Sequence, residues 1–258
     1  MSLNNRKYFT YNNNNTVPLI FIHGVGLDRS MWSPQLKFFK NYTTITYDLL
    51  GHGNVPHDKE KLTMEDFKDQ LKSLTDYLKI KKFNLIGFSI GSLIALNYAS
   101  DFESKINSLI LLSTTYKRNS NQRQEVIDRV NLSKLNKPIS NLALKRWFTD
   151  DYINNNKRIK EYIIQILTKN PYEQKNFIKA YELFANYEDD IEKIKKINTK
   201  SLVMTGSLDS GSTPEMSQNL SNDLKNSTFV EIKNGKHLCS IECADDVNIN
   251  IKKFIDNV

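Results

Sequence analysis

The sequence predicts an α/β fold, with a mostly parallel central sheet, helices on both faces and an inserted block of helices. Three observations predict it. Short apolar, β-branched runs recur along the chain. Helical periodicity fills most of the gaps between them. One long stretch, residues 116–198, contains helical segments and no strand-like run. Strands that alternate with helices imply a parallel sheet covered on both faces.

The elements follow in order. Asn12–Asn15 is a polar patch between two short apolar runs and reads as a hairpin turn. Val17–His23 is nearly all apolar, which suits a strand buried on both faces. Thr43–Asp48, Phe83–Phe88, Ile106–Thr114, Ser201–Thr205 and Thr228–Lys233 are similar runs. Asp28–Phe39 sets Met31, Trp32, Leu36 and Phe39 on one helical face. Thr63–Leu78 opens on a good capping residue and carries Phe67, Leu71, Leu74 and Leu78. Ile90–Phe102, Thr213–Leu224 (with Pro214 in its first turn) and Ala244–Ile255 complete the helices of the core. The insertion reads as helices near Gln122–Leu132, Ile139–Trp147, Lys157–Leu167, Tyr172–Asn186 and Ile191–Ile197. Residues 1–115 and 199–258 therefore form the core, and 116–198 a helical cap. Its aromatics (Trp147, Phe148, Tyr162, Tyr172, Phe177, Tyr181 and Phe184) are expected mostly in the cap's own core, a minority lining what lies beneath.

Composition narrows the function classes. The 258 residues are 39% hydrophobic, 25% charged and 10% aromatic, so disorder and fibrous repeats are excluded. No apolar run approaches the roughly 20 residues of a membrane helix, and no signal-peptide core is present at the N-terminus. The two cysteines, Cys239 and Cys243, are too few for a disulfide framework or a zinc site, and imply a reducing, cytoplasmic setting. Cys239 reads as a small apolar packing residue with no assigned role. The net charge of +7 comes from 36 basic and 29 acidic residues, the basic ones mostly dispersed lysines. Runs such as Lys79–Lys82 and Lys193–Lys200 read as solvated helix ends, and no aromatic–basic platform for nucleic acid is seen. The expected partner is a small molecule, with neither nucleic acid nor membrane. The sequence does not distinguish a monomer from a homodimer.

The chemistry centres on Gly87-Phe88-Ser89-Ile90-Gly91, which follows a buried strand and opens an apolar helix. This is the strand–turn–helix context of a nucleophile elbow. The alternative is a serine that merely caps the helix. A serine hydroxyl needs a base to accept its proton. Of the four histidines, His23 and His52 read as hydrogen-bonded structural residues and His57 as an exposed loop residue. His237 follows the last strand, on the loop that the topology brings to the same sheet edge as Ser89. Asp209 follows the preceding strand. The order Ser89, Asp209, His237 fits a triad in which aspartate orients the imidazole. The Ile90 and Val25 amides are the candidate donors to a developing oxyanion.

At these residues the sequence resembles the α/β-hydrolase family. The matching stretches are residues 21–32, 47–56, 85–99, 205–216 and 235–242, in family order and outside the insertion. Two departures occur. Asn54 stands where relatives usually carry serine, and Glu242-Cys243-Ala244 lacks the proline that usually opens the last helix. Residues 145–153 and 168–185 resemble 3-oxoadipate enol-lactonases and their relatives. That resemblance implies a cofactor- and metal-independent serine hydrolase acting on a small carboxylated ester or enol-lactone. Arg146 and Trp147 become candidates to hold a substrate carboxylate, the alternatives being a surface ion pair and cap core. Ser89 argues against dehalogenases and epoxide hydrolases, which use an aspartate nucleophile. The HGVG loop, residues 23–26, lacks the HGGP signature of proline iminopeptidases. The rival readings are a hydrolase of a C–C bond or of an amide of an unsaturated dicarboxylate, a non-catalytic small-molecule receptor, and a nucleic-acid binder.

Overall fold

A computed structural model describes residues 6–53, 55–135, 140–168 and 171–258. Asn54, Ile139, the first five residues and the Tyr172 side chain lie outside what is described. Seven strands form one sheet: β1 (Phe9–Asn12), β2 (Leu19–Ile22), β3 (Thr44–Tyr47), β4 (Phe83–Phe88), β5 (Ile106–Leu112), β6 (Ser201–Gly206) and β7 (Ser227–Ile232). Their spatial order is β1-β3-β2-β4-β5-β6-β7. Only the edge pair β1–β3 is antiparallel, with Phe9 opposite Tyr47.

The apolar runs read as they do because the strands are buried on both faces. Along β2, Leu19 and Phe21 join one core cluster while Ile20 and Ile22 join the other. This is the two-residue period of a pleated strand. The helices are α1 (Ser33–Phe38), α2 (Met64–Tyr77), α3 (Ile90–Phe102), α4 (Ser120–Lys134), α5 (Ser140–Trp147), α6 (Asp150–Asn155), α7 (Lys157–Thr168), α8 (Pro171–Asn186), α9 (Ile191–Ile194), α10 (Pro214–Asp223), α11 (Cys239–Glu242) and α12 (Ala244–Ile255). Residues of α2, α3 and α10 pack into the first cluster, and residues of α12 and the Met31–Trp32 turn into the second. The helices from α4 to α9 all lie between β5 and β6 in the chain.

Local chemistry sets the boundaries. Thr63 and Asp66 form a reciprocal capping box at the start of α2. Thr213 caps α10 ahead of Pro214. Cys243 breaks the chain between α11 and α12 even without a proline.

Several expectations need correction. Asn12–Asn15 is not a hairpin turn, because β1 pairs with β3 rather than β2. The Asn14 amide donates to the Lys40 and Tyr42 carbonyls at 3.0 and 2.9 Å, which ties the crossing chain to the residues before β3. Asp28–Phe39 is not one helix but a 3₁₀ turn, Arg29–Trp32, followed by α1. Pro34 has no N–H to continue a hydrogen-bond ladder across the junction. β5 ends two residues early because Ser113 turns into the left-handed region at φ 49°. α9 stops at Ile194 rather than Ile197, and the short α6, capped by Thr149, is a further helix between α5 and α7.

Candidate active site

The elbow begins with the close approach of two backbones. A Cβ on Gly87 would lie 2.3 Å from the Gly91 carbonyl oxygen, and one on Gly91 would lie 2.3 Å from that of Ile22. Only glycine fits at such separations. Between them Ser89 is held at φ 55°, ψ −118°, a strained conformation for a residue with a side chain. Its hydroxyl makes no capping bond to α3, so the helix-cap alternative does not describe it. The Ser89 amide donates to the Leu112 carbonyl at 2.9 Å. Beneath it the Ser92 hydroxyl donates to the Gly87 carbonyl at 2.7 Å and accepts from the Leu112 amide at 3.1 Å. Ser92 thus fastens the turn to β5, a role the sequence motif did not single out.

Asp209 follows β6 in a tight turn. Its Oδ1 accepts from the Gly211 and Ser212 amides at 2.9 and 3.0 Å. Its Oδ2 lies 2.7 Å from His237 Nδ1. Burial by itself pushes the carboxyl up, but His237 and the two amides outweigh it and hold Asp209 below the usual carboxylate range. A carboxylate can only accept, so the proton sits on Nδ1 and Nε2 presents its lone pair. His237 is 4% exposed and packs against Phe88, with ring centroids 5.0 Å apart. The Ser113 hydroxyl donates to the His237 carbonyl at 2.8 Å.

His23 and His52 organise the loop after β2. Each meets a backbone carbonyl through Nδ1, which must therefore donate. Each accepts a backbone amide at Nε2: Leu49 at 2.9 Å for His23, Gly26 at 3.1 Å for His52. Burial lowers both pKa values, that of His52 to about 3. The His52 bond fixes the residue beside Val25. His57 departs from expectation: it is half-buried, with Nδ1 accepting from the Lys59 amide at 3.0 Å.

Ser89, His237 and Val25 line one cavity, which encloses about 740 Å³ with its open mouth included. Above them Phe177, Tyr181, Phe184 and Trp147 form much of the wall. Hence, of the seven aromatics singled out in residues 116–198, four of the six with described side chains line the cavity, more than the minority expected. Arg146 lies on the same wall and makes no ion pair among the described residues. Its Nε is buried without a hydrogen-bond partner, and burial holds its pKa below the usual arginine range. The indole Nε1 of Trp147 is likewise buried and unpartnered. Ile90 opens α3 directly after Ser89, so its amide precedes the first intrahelical acceptor.

Residues 17–243 match the model of the alpha/beta hydrolase fold. The chain belongs to the α/β-hydrolase family. This α/β hydrolase is 28% identical to (E)-2-((N-methylformamido)methylene)succinate hydrolase of Acinetobacter baylyi, an alignment covering 98% of the chain and 95% of the relative. It is 26% identical to 3-oxoadipate enol-lactonase 2 of the same organism, over 91% of the chain and 87% of the relative. The enol-lactonase of Burkholderia xenovorans superposes with a TM-score of 0.88 at 24% identity, covering 96% of each chain, a likeness of fold.

The hydrolase also carries features that no motif announced. Arg129 of α4 is a second cation on the cavity wall, bonded through Nε to the Tyr181 hydroxyl at 3.2 Å. Glu242 accepts from Thr149 and from the Lys236 amide, joining the helical insertion to the His237 loop. Neither residue has a spacing signal, because each acts between segments distant in sequence. No helix among the described residues is long and apolar enough to cross a membrane.

Proposed function

We propose that this α/β hydrolase is a cofactor-independent serine hydrolase that cleaves a small carboxylated ester or enol-lactone through an acyl-enzyme on Ser89. One observation carries the reading. A strained, uncapped serine shares a cavity with a histidine whose Nδ1 is held by a buried carboxylate. Ser89 Oγ attacks the acyl carbon as its proton passes to His237 Nε2. The Val25 and Ile90 amides hold the oxyanion, and Asp209 stabilises the imidazolium. Collapse breaks the acyl C–O bond, and the proton on Nε2 goes to the leaving oxygen. Water then adds to the acyl carbon with His237 again as base, which releases the carboxylic acid and restores Ser89. Residues 116–198 act as the cap, with Arg146 and Trp147 against a substrate carboxylate. The partner is a small molecule, and the free cysteines support a cytoplasmic setting.

A second reading keeps the triad and changes the bond. The relative aligned over 98% of the chain is named for a succinate bearing an N-methylformamido group, which favours an amide on a dicarboxylate. The test treats the protein and Ser89→Ala with a fluorophosphonate probe, then assays carboxylated lactones beside N-acyl enamine dicarboxylates. Labelling confined to the wild type, with Ser89→Ala at least about 10³-fold slower, is expected. Comparable turnover by the variant sinks the mechanism, and tight ligand retention without labelling favours a receptor.

A further inference from the structure

The cavity is lined by two arginines and, among its described residues, by no acidic side chain. They come from different helices, α4 and α5, and both adjoin Tyr181. Arg146 stands at the Asp209 turn, where a Cβ on Gly211 would come within 3.1 Å of its Nη1. Arg129 is braced by the Tyr181 hydroxyl, beside the Phe177–Tyr181–Phe184 aromatic row. No carboxylate among the described residues forms an ion pair with either. Asp209 acts on Arg146 only from a distance, because its oxygens are taken by His237 and two backbone amides, so a ligand carboxylate is free to make the direct contact that a cavity-lining guanidinium favours. A single carboxylate satisfies one planar fork.

We infer that Arg129 and Arg146 are the two halves of an anion clamp, and that the substrate carries two carboxylates besides the acyl group cleaved. One carboxylate meets Arg146 at the triad end and the other meets Arg129 at the aromatic end. The assignment deepens the serine-hydrolase reading and rests on it for the word substrate. It also separates the two bonds considered above. A lactone with one carboxylate fills half of the clamp and gains its second carboxylate only on opening, so its product is held more tightly than itself. An acyl group borne on a dicarboxylate fills both halves from the start.

Calorimetry with succinate, glutarate and adipate, each beside the non-hydrolysable monocarboxylate of the same chain length (butyrate, pentanoate, hexanoate), tests the clamp at fixed ionic strength. For the best-fitting length, the wild type is expected to bind the diacid at least about ten-fold more tightly than the monoacid, one charge-assisted contact's worth. Arg129→Gln is expected to bring that ratio within about three-fold while leaving the monoacid's affinity nearly unchanged, and Arg146→Gln to weaken both. Circular dichroism establishes that the variants fold, and Arg129→Met replaces Arg129→Gln where it does not. A wild-type ratio near one for all three lengths overturns the clamp, as does an undiminished ratio in a folded Arg129 variant. Fluorophosphonate labelling on the same preparations keeps the two ideas apart. Lost labelling with an intact ratio removes the serine chemistry alone, and intact labelling with a flat ratio removes the clamp alone.

Discussion

The amide of Leu238 donates to the carbonyl of Trp147 at 3.0 Å, so the residue after His237 is bonded to the last residue of α5. The contact does not stand alone. Lys236 Nζ reaches the Lys145 carbonyl at 2.8 Å. Glu242 Oε2 accepts from the Lys236 amide at 3.1 Å, while Oε1 takes the Thr149 amide at 2.9 Å and the Thr149 hydroxyl. The helix that carries Arg146 and the loop that carries His237 are therefore hydrogen-bonded to each other at several points.

Glu242→Ala is the direct test of that coupling. It leaves two partly buried amides without an acceptor, at a cost of about 1–3 kcal/mol of stability. Because Arg146 and His237 are tied through this carboxylate, KM for a carboxylated substrate is expected to rise by about ten-fold, with kcat falling less. Glu242→Gln keeps one acceptor and should lie between the two. Steady-state kinetics beside thermal melts would check this, and an alanine variant that lost stability without any change in KM would separate the staple from the site.

Ser113 supports His237 from below. Its hydroxyl donates to the His237 carbonyl while its backbone sits at φ 49°. Ser113→Ala leaves that buried carbonyl unpaired and keeps a side chain in a left-handed conformation. Ser113→Gly removes the same donor but relieves the conformation. Both are expected to lower kcat, since both free the histidine loop. The alanine variant should also be less stable than the glycine variant, by about 1 kcal/mol. Equal kcat for both variants and the wild type would assign Ser113 to folding alone.

The glycines of the elbow allow a sharper prediction. A Cβ at Gly87 or Gly91 meets backbone at 2.3 Å, and backbone cannot rotate away as a side chain can. Either alanine variant is expected to lose several kcal/mol or fail to fold, beyond the usual range of about 0.5–3 kcal/mol for point changes. Chemical denaturation of Gly91→Ala settles it, and a cost below about 1 kcal/mol would mean the strand and helix can separate without penalty.

How much of this was legible in the chain varies with the range of the interaction. β4 and α3 are readable to the residue, because a doubly buried strand must be continuously apolar and the glycine-flanked serine marks where it turns. The partner of β1 was not readable, since the antiparallel pairing with β3 depends on tertiary crossing rather than on the asparagine turn. Asp209 and His237 can be placed by topology, as each follows a strand ending at one sheet edge. Arg129 cannot, because only the packing of α4 against α8 decides which side of a mixed helix faces the cavity. Glu242 stands out in the sequence only for the proline missing after it, while its hydrogen bond to Thr149 spans 93 residues.

His52 predicts how stability responds to acid. Its Nδ1 must donate to the Leu50 carbonyl and its Nε2 must accept from the Gly26 amide, so a second proton would set two donors face to face. Burial accordingly drops its pKa to about 3, against about 6.5 in an unfolded chain. Above pH 6.5 neither state binds the proton and the group contributes its full stability. Between pH 6.5 and 3 the unfolded chain takes up a proton that the native state refuses, so stability declines as pH falls. The slope approaches about 1.4 kcal/mol per pH unit for this one group. His23, buried and also shifted downward, acts in the same direction. Urea midpoints at pH 7.5, 6.5 and 5.5 should therefore decline for the wild type. In His52→Gln, whose amide oxygen can still accept from Gly26, the decline should be shallower than in the wild type. Parallel slopes would show that the histidine protonates without leaving its place, and that the amide of Gly26 finds another acceptor.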